Sequence, residues 1–575
     1  MASEGTSRPA TEFGSDVIAA LLRAFDIPAL AINPGASFRG LHDSIVNYLG
    51  NKRPSLLLTL HESQAVAIAH GYAKVTGNPM GVVLHANVGL MNAVMAIYDA
   101  YVDRMPMLIL GATGVVDAAK RRPWIEWIHT SRDQGALVRS FVKWDDQPAS
   151  IEAAVESLCR AMALTTATPQ APTYVCLDVE LQESPLPAGR TVQSYLPDVA
   201  RLRPAPGPVA RAGDLDAAKV LIEKARRPLV LIGRHRRTDA AWAARIRFVE
   251  AAGAVALCDQ KCGVGFPSAH AAFVGAPAQY LDARAKAALE QADAIVSLDW
   301  PDVAGTLSQR ADRGENVPTL ILSPDERLHN GWSFDHFGFA QADIRLAVHP
   351  DDVLPDLTAR LAGGRAPWPL PRAEIGQIPT SGAITLPALA RVFDAVRGAR
   401  RVSLVRLPFG WPDAATRFTG PLDCLGYDGG GGIGSTPGIA IGAALALKGS
   451  GRTPVAILGD GDLLMGSQAL WTAAAEKLPV LFLVNNNRSF FNDVEHQERV
   501  ARRRGRPLER RDIGMAIDNP AIDLPALARA CGFTVFGPLT KIEELEGALE
   551  TAFRAVEAGA AVLVDVSVPA PGLTP

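Results

Sequence analysis

Three observations predict an α/β protein made of parallel, doubly wound sheets. Short apolar runs alternate with helical stretches along the 575 residues, most of those runs end on Gly, Asn, Asp or His, and two proline-rich breaks cut the alternation into three segments. A chain of this length exceeds one compact core and calls for about three or four domains. The predicted domains are 13–186, 209–363 and 383–569, with proline-rich linkers at 186–208 and around Arg365-Ala366-Pro367-Trp368-Pro369-Leu370-Pro371. In such sheets ligands sit at the carboxyl ends of strands, so strand-end residues are the first candidates for function.

Composition narrows the classes. A formal charge of −3 gives no electrostatic reason to expect nucleic acid or an anionic membrane as partner. Apolar runs stop well short of bilayer length, so no membrane span is expected. The six cysteines are dispersed, only Cys258 and Cys262 lie close together, and no zinc spacing accompanies them. With no secretory apolar region at the Met1-Ala2-Ser3-Glu4 start, a reduced, cytoplasmic setting is expected.

In the first segment, helical spacing over Asp16 to Phe25 leads to a strand at Ala29-Leu30-Ala31-Ile32, which ends on Asn33-Pro34-Gly35. Ser55-Leu56-Leu57-Leu58-Thr59 is the next strand, followed by His61-Glu62 and an alanine-rich helix through Ala73. Gly81-Val82-Val83-Leu84 runs to His85, and Pro106-Met107-Leu108-Ile109-Leu110 to Gly111. By default a glutamate at Glu62 is a helix N-terminal residue favoured by the dipole, and a lone strand-end histidine at His85 is a satisfied hydrogen-bonding group. Gln134, before Phe141-Val142-Lys143-Trp144, is a further pocket candidate.

The second segment has strands at Arg227-Pro228-Leu229-Val230-Leu231-Ile232-Gly233 and Ala294-Ile295-Val296-Ser297-Leu298. The cationic strand end Gly233-Arg234-His235-Arg236-Arg237 has the charge to bind phosphate, but no Gly-x-Gly-x-x-Gly fingerprint accompanies it, which favours a solvated basic loop.

The third segment carries the strongest pair of strand ends. Pro454-Val455-Ala456-Ile457-Leu458 runs into Gly459-Asp460-Gly461, a helix is expected from Leu463 to Lys477, and Val480-Leu481-Phe482-Leu483-Val484 ends on Asn485-Asn486-Asn487. Gly-Asp-Gly alone is a common turn. Paired with asparagines on the next strand, it offers one carboxylate, one amide oxygen and a loop carbonyl, a hard oxygen set that suits magnesium holding a diphosphate. The flanking glycines permit close backbone approach.

This pair, with Ala469-Leu470-Trp471-Thr472-Ala473-Ala474 on the connecting helix, resembles the cofactor motif of the thiamin diphosphate-dependent decarboxylase and acetolactate synthase superfamily. The resemblance covers nearly the whole chain. It implies thiamin diphosphate and Mg2+ as cofactors, with pyrimidine-binding, central Rossmann-like and diphosphate-binding domains in that order. It implies Asp460, Asn487 and the carbonyl of Ser489 as metal ligands, with Asn486 as an off-by-one alternative, and Gly459 and Gly461 beside the cofactor. Glu62, followed by Gly71-Tyr72-Ala73, is similar to the glutamate that promotes the imino tautomer of the aminopyrimidine. Ile433, in Gly429-Gly430-Gly431-Gly432-Ile433-Gly434-Ser435, falls where an apolar side chain separates the two cofactor rings.

Several phrases look closest to the benzoylformate decarboxylase branch, including the stretch around His85. Ala36 stands where that branch has a substrate-binding serine, with Ser37 next to it as a substitute. Phe490, Phe491, Asp493, Glu495 and His496 leave the metal loop directly and are expected as substrate-pocket or lid residues, with His85 and His496 as proton carriers. Arginines between Arg499 and Arg511 are candidate anion contacts.

The implied activity is carbon–carbon bond cleavage, foremost the non-oxidative decarboxylation of a 2-oxo acid, aromatic in the benzoylformate-like case, with carboligation beside it. A 2-hydroxyacyl-CoA lyase or an acetolactate synthase-like ligase is the alternative, and a non-catalytic scaffold the remote one. A small-molecule 2-oxo acid or 2-hydroxyacyl-CoA is therefore the expected partner. The resemblance also implies a homo-oligomer, a dimer at minimum and a tetramer by extension, with Glu62 of one chain facing the diphosphate domain of another.

Overall fold

The computed structural model describes residues 11–278, 280–325, 339–370 and 378–569; the Met1-Ala2-Ser3-Glu4 start and Pro371 lie outside them. Three parallel sheets form, as the alternation predicts. The first holds β1 (Ala29–Ile32), β2 (Ser55–Leu58), β3 (Met80–Leu84), β4 (Met107–Thr113), β5 (Asp145–Asp146) and β6 (Pro172–Asp178), in the order β2-β1-β3-β4-β6-β5. The second holds β7 (Pro228–Ile232), β8 (Val255–Cys258), β9 (Phe273–Gly275), β10 (Ala294–Leu298), β11 (Thr319–Leu322) and β12 (Ile344–Leu346), in the order β12-β11-β10-β7-β8-β9. The third holds β13 (Val402–Arg406), β14 (Thr453–Gly459), β15 (Val480–Asn486), β16 (Thr534–Leu539) and β17 (Ala561–Ser567), in the order β13-β14-β15-β17-β16.

The central strands are near-continuous apolar runs because helices cover both their faces. β3, β7 and β10 are buried at every residue. The described residues cluster into two compact units. One runs to Ala69 and takes in Asn78–Ala205; the other joins His70–Gly77 to the chain from Pro206 onward. Within the second unit, Val230, Val296 and Leu320 of the second sheet share one buried cluster with Leu404, Val455, Leu481 and Val564 of the third. Among the described residues no helix is long and apolar enough to cross a membrane. Cys258 and Cys262 are buried free thiols, as a core role requires.

One expectation fails locally. The helix expected from Leu463 to Lys477 is two helices, Asp460–Met465 and Gln468–Ala475. The break falls at Gly466, where an added Cβ would lie 2.2 Å from the carbonyl oxygen of Gly434. The chain bends there because a neighbouring loop occupies the space a continuous helix would need.

Candidate functional site

Two groups of strand-end residues stand out, one in each unit. In the first unit β1 pairs with both β2 and β3, so their carboxyl ends open on one edge. Past β2 the chain enters the helix Glu62–Thr76 at Glu62, which is 7% exposed. Its Oε2 accepts from Asn92 Nδ2 at 3.0 Å. Past β3, His85 is the N-cap of the helix Ala86–Val102. Its Nδ1 lies 2.8 Å from Ser37 Oγ, and its ring meets His129 edge-on at 4.9 Å between centroids. Burial lowers the His85 pKa, His129 and Arg122 lower it further, and Glu62 opposes them. The imidazole is therefore neutral at pH 7.

Ser37 is buried whereas Ala36 is exposed, so the hydroxyl expected as a substitute is the one that reaches the histidine. Gly35 makes that approach possible: a Cβ there would fall 2.1 Å from His85 Cγ. Gln134 is fully buried, and its amide nitrogen donates to the Ala112 carbonyl at 3.0 Å and the Tyr174 hydroxyl at 2.8 Å.

In the second unit β14 and β15 are neighbours with Gly459 opposite Asn485. Side chains alternate along a strand, which separates the three asparagines. Asn486 donates to Asp565 at 3.0 Å and its oxygen accepts from the Arg488 N–H at 3.2 Å, which commits it away from Asp460. Asn487 Oδ1 accepts from the Ser489 N–H at 3.0 Å. Asp460 Oδ1, Asn485 Oδ1 and Ser489 Oγ are buried oxygens with no hydrogen-bond partner among the described residues. Burial pushes the Asp460 carboxyl up to about 6, against the backbone N–H groups of Asp460, Asn487 and Gly461, which favour its charged form. Buried oxygens without partners cost free energy unless something else satisfies them, and a hard cation does so with oxygen ligands alone. The residues thus fit Mg2+. Among the described residues no group of three or more His, Cys, Asp or Glu could hold a metal, so a mixed carboxylate, amide and hydroxyl set is what this edge offers.

The glycines flanking Asp460 serve differently. A Cβ on Gly459 would point into open space, whereas one on Gly461 would strike the Phe490 ring at 2.5 Å. Phe490 is thus packed onto the turn, and its N–H donates to the Met515 carbonyl at 2.9 Å. Phe491 opens the helix Phe491–Arg503, on which Asp493, Glu495 and His496 are exposed. In the arginine run, Arg502 pairs with Glu498 at 2.6 Å and Arg511 with the same carboxylate at 3.3 Å.

Sequence reasoning missed the anchors of the Gly-rich loop. Asp428 accepts from Arg406 at 2.5 Å and from the Gly431 N–H at 3.1 Å. Asp462 accepts from the Gly434 N–H and the Thr436 hydroxyl, each at 2.7 Å. Ile433 therefore sits on a loop held at both ends, one of them by the helix that begins at Asp460. The available signal was a second acidic residue, Asp462, beside the Gly-Asp-Gly turn. Asn92 was signalled too, as a polar residue about two helical turns beyond His85 in an apolar helix.

The cationic end of β7 is internally neutralised. Arg234 pairs with Asp325 at 2.8 Å and Asp299 at 3.5 Å, Arg236 pairs with Asp352, and Arg237 donates to two carbonyls.

Comparison with known proteins agrees with this layout. Residues 13–137 match the family model described as thiamine pyrophosphate enzyme, N-terminal TPP binding domain, and residues 410–566 match its C-terminal TPP binding domain. The chain is 26% identical to benzoylformate decarboxylase of Pseudomonas aeruginosa over 552 residues, covering 89% of this chain and 91% of that one. It is 23% identical to chloroplastic acetolactate synthase 3 of Brassica napus, over 94% of this chain and 81% of the other. Among solved structures, the thiamine diphosphate-dependent 4-hydroxybenzoylformate decarboxylase of Rhodococcus jostii superposes with a TM-score of 0.77 at 21% identity, over 97% of this chain and 99% of that one. Benzoylformate decarboxylase from Polynucleobacter necessarius gives 0.76 at 20%, over 98% and 100%.

Proposed function

The chain belongs to the thiamine pyrophosphate enzymes, whose N- and C-terminal cofactor-binding domains it carries, and we propose that it decarboxylates a 2-oxo acid non-oxidatively, with carboligation as a companion activity. The observation that carries the decarboxylase reading is the Ser37–His85 pair, 2.8 Å apart at the strand ends of the domain that also presents Glu62. When bound, thiamin diphosphate supplies the sink for the electron pair released as the bond beside the carbonyl breaks.

The residues divide the remaining work. Asp460, Asn487 and the Ser489 carbonyl would hold Mg2+, which would supply positive charge to the diphosphate, with the open space at Gly459 as the approach and Asn485 as an additional oxygen. Ile433 would lie against the cofactor rings. Glu62 holds a proton on Oε1 or Oε2 for exchange with the pyrimidine, and Asn92 fixes its orientation. Ser37 donates a hydrogen bond to the substrate carboxylate or to His85. His85, neutral at pH 7, accepts and returns a proton near the substrate. Phe490 and Phe491 border the substrate, and His496, exposed on its helix, contributes only from the rim. Gln134, anchored through its amide nitrogen and with its Oε1 unpartnered among the described residues, shapes the pocket wall. We assign 13–186 to the pyrimidine, 383–569 to the diphosphate and 209–363 to the central domain, in a cytoplasmic homo-oligomer of at least two chains, with a tetramer as the fuller assembly.

The test is a panel of 2-oxo acids and 2-hydroxyacyl-CoAs given to the holoenzyme, following carbon dioxide and aldehyde. Carbon dioxide with aldehyde from an aryl or alkyl 2-oxo acid supports the reading. Aldehyde from a CoA ester without carbon dioxide replaces it by the lyase, and a product carrying two condensed oxo acids replaces it by the ligase. Glu62→Gln lowers kcat about 10²- to 10⁴-fold in the active case; no turnover in any arm identifies a scaffold.

A further inference from the structure

The carboxyl ends of β7 and β8 lie side by side in the second sheet, where folds of this kind ordinarily take a ligand. Here that edge is filled by the chain's own segment Cys424–Tyr427. Arg237 Nη2 donates to the Leu425 carbonyl at 2.9 Å and to the Cys262 carbonyl at 2.8 Å. The Tyr427 N–H donates to the Lys261 carbonyl at 2.8 Å, and the Tyr427 hydroxyl donates to Gln260 Oε1 at 2.8 Å. Gln260 is 1% exposed and Tyr427 5%, so these bonds are made out of water. The fit demands glycine on both sides. A Cβ on Gly426, at φ +80°, would lie 2.3 Å from the Lys261 carbonyl, and one on Gly263 would lie 2.6 Å from the Cys424 carbonyl.

The residue after Tyr427 is Asp428, the first anchor of the Gly-rich loop. Arg406 links the two, with its guanidinium 5.0 Å from the Tyr427 ring centroid and bonded to the Asp428 carboxylate. The loop then runs to Gly434, whose N–H is held by Asp462. Its entry is thus referenced to the second sheet and its exit to the helix bearing Asp460. An apolar core alone docks two sheets without fixing a loop's register, because dispersion contacts are non-directional. Three directional hydrogen bonds between the segment and the second sheet do fix it, and a fourth, from Arg237 to the Cys262 carbonyl, holds the arginine in place.

We propose that the carboxyl edge of the second sheet is the seat of the cofactor loop, with Arg237, Gln260 and Tyr427 as positioning residues that set where Ile433 stands relative to Asp460. The inference rests on the reading of Ile433 as a contact to the cofactor rings. It gives the central domain a task in cofactor recognition that needs no ligand of its own.

The test separates the rings from the diphosphate. Dissociation constants for thiamin diphosphate and for inorganic diphosphate, each with Mg2+, are measured on the full chain and on Arg237→Ala, Arg237→Lys, Gln260→Leu, Tyr427→Phe and Ile433→Ala, alongside the thermal midpoint of each. Arg237→Ala weakens thiamin diphosphate about tenfold and leaves inorganic diphosphate within about twofold. Arg237→Lys restores part of that loss, and Tyr427→Phe and Gln260→Leu each weaken thiamin diphosphate about threefold. Equal weakening of both ligands together with a lowered midpoint overturns positioning in favour of general destabilisation. Selective weakening by Ile433→Ala with none in the variants at the three positioning residues overturns the inference and spares the Ile433 reading. The reverse pattern supports the seat and removes Ile433 from the rings, and no selective effect in any variant overturns both.

Discussion

The second and third sheets are built alike, all parallel and helix-covered, yet they treat the ionised side chains at their carboxyl ends differently, although each end also holds buried polar atoms without a partner among the described residues, His235 Nε2 and Arg237 Nε at the second. At the second, charge is consumed internally: Arg234 lies between Asp299 and Asp325, Arg245 is paired with Asp351 at 2.7 Å with both groups buried, and Arg237 is spent on carbonyls. At the third, Asp460, Asn485 and Ser489 each keep a buried oxygen that no group among the described residues satisfies. A run of arginines with the charge to bind phosphate is paired within the chain, and a short turn with one aspartate keeps an unsatisfied carboxylate oxygen. An unsatisfied buried polar group costs roughly 1–3 kcal/mol. Where a fold accepts several such costs together, a ligand is the economical explanation.

The sharpest way to break this contrast is Asp460→Ala. Cofactor affinity should fall about 100-fold or more, read by titration with thiamin diphosphate and Mg2+, while the thermal midpoint of the cofactor-free chain stays level, because removing a buried carboxylate with one unsatisfied oxygen offsets the loss of the backbone N–H bonds it accepts. A fall in that midpoint would mean the carboxylate is structural after all. The counterpart at the second sheet is Asp325→Ala. It leaves the Arg234 side chain, 10% exposed, with only its 3.5 Å contact to Asp299 among the described residues and should cost roughly 1–3 kcal/mol of stability, measured by urea unfolding, with ligand affinity unchanged.

The first sheet gives an intermediate case through His85. Its folded pKa is lowered by burial and by His129, so fewer protons bind to the folded chain than to the unfolded one below the ordinary histidine value. Stability attached to His85 is therefore present above about pH 6.5 and is lost as pH falls toward the lowered value. The decarboxylation rate should follow the same direction, holding its plateau below pH 6.5 before the acid limb begins. His129→Ala should move that limb upward, and an unmoved limb assigns it to another group. The smallest effect belongs to Arg236→Ala. Its bridge to Asp352 is about two-fifths exposed on both sides, so the loss should be roughly 0.2–1 kcal/mol, with no change in cofactor affinity.

Much of the fold was readable in advance because each strand is an apolar run closed by a polar or glycine corner. Ala29–Ile32, Pro228–Ile232 and Ala294–Leu298 fall where the pattern places them. What escaped depended on residues far apart in sequence. The helix after Asp460 is broken because the Gly434 carbonyl occupies its path, and no local propensity at Gly466 foretells that neighbour. Asn487 is what the family resemblance implies, whereas the spare oxygen on Asn485 and the commitment of Asn486 to Asp565 require strand register and a partner on β17. The cationic run Arg234–Arg237 was read as solvated, and Arg234 is buried instead, because its acids come from β10 and from the turn after β11.

The close seat of His85 on Gly35 has a consequence for anyone wishing to retool this chain. No side chain fits at Gly35 without displacing the imidazole, so a library randomised there would return mostly inactive clones. The adjacent Ala36 is exposed and lies on the same corner as the Ser37 hydroxyl. It is the position at which bulk can be traded for a change of preferred acid while the Ser37–His85 pair stays whole.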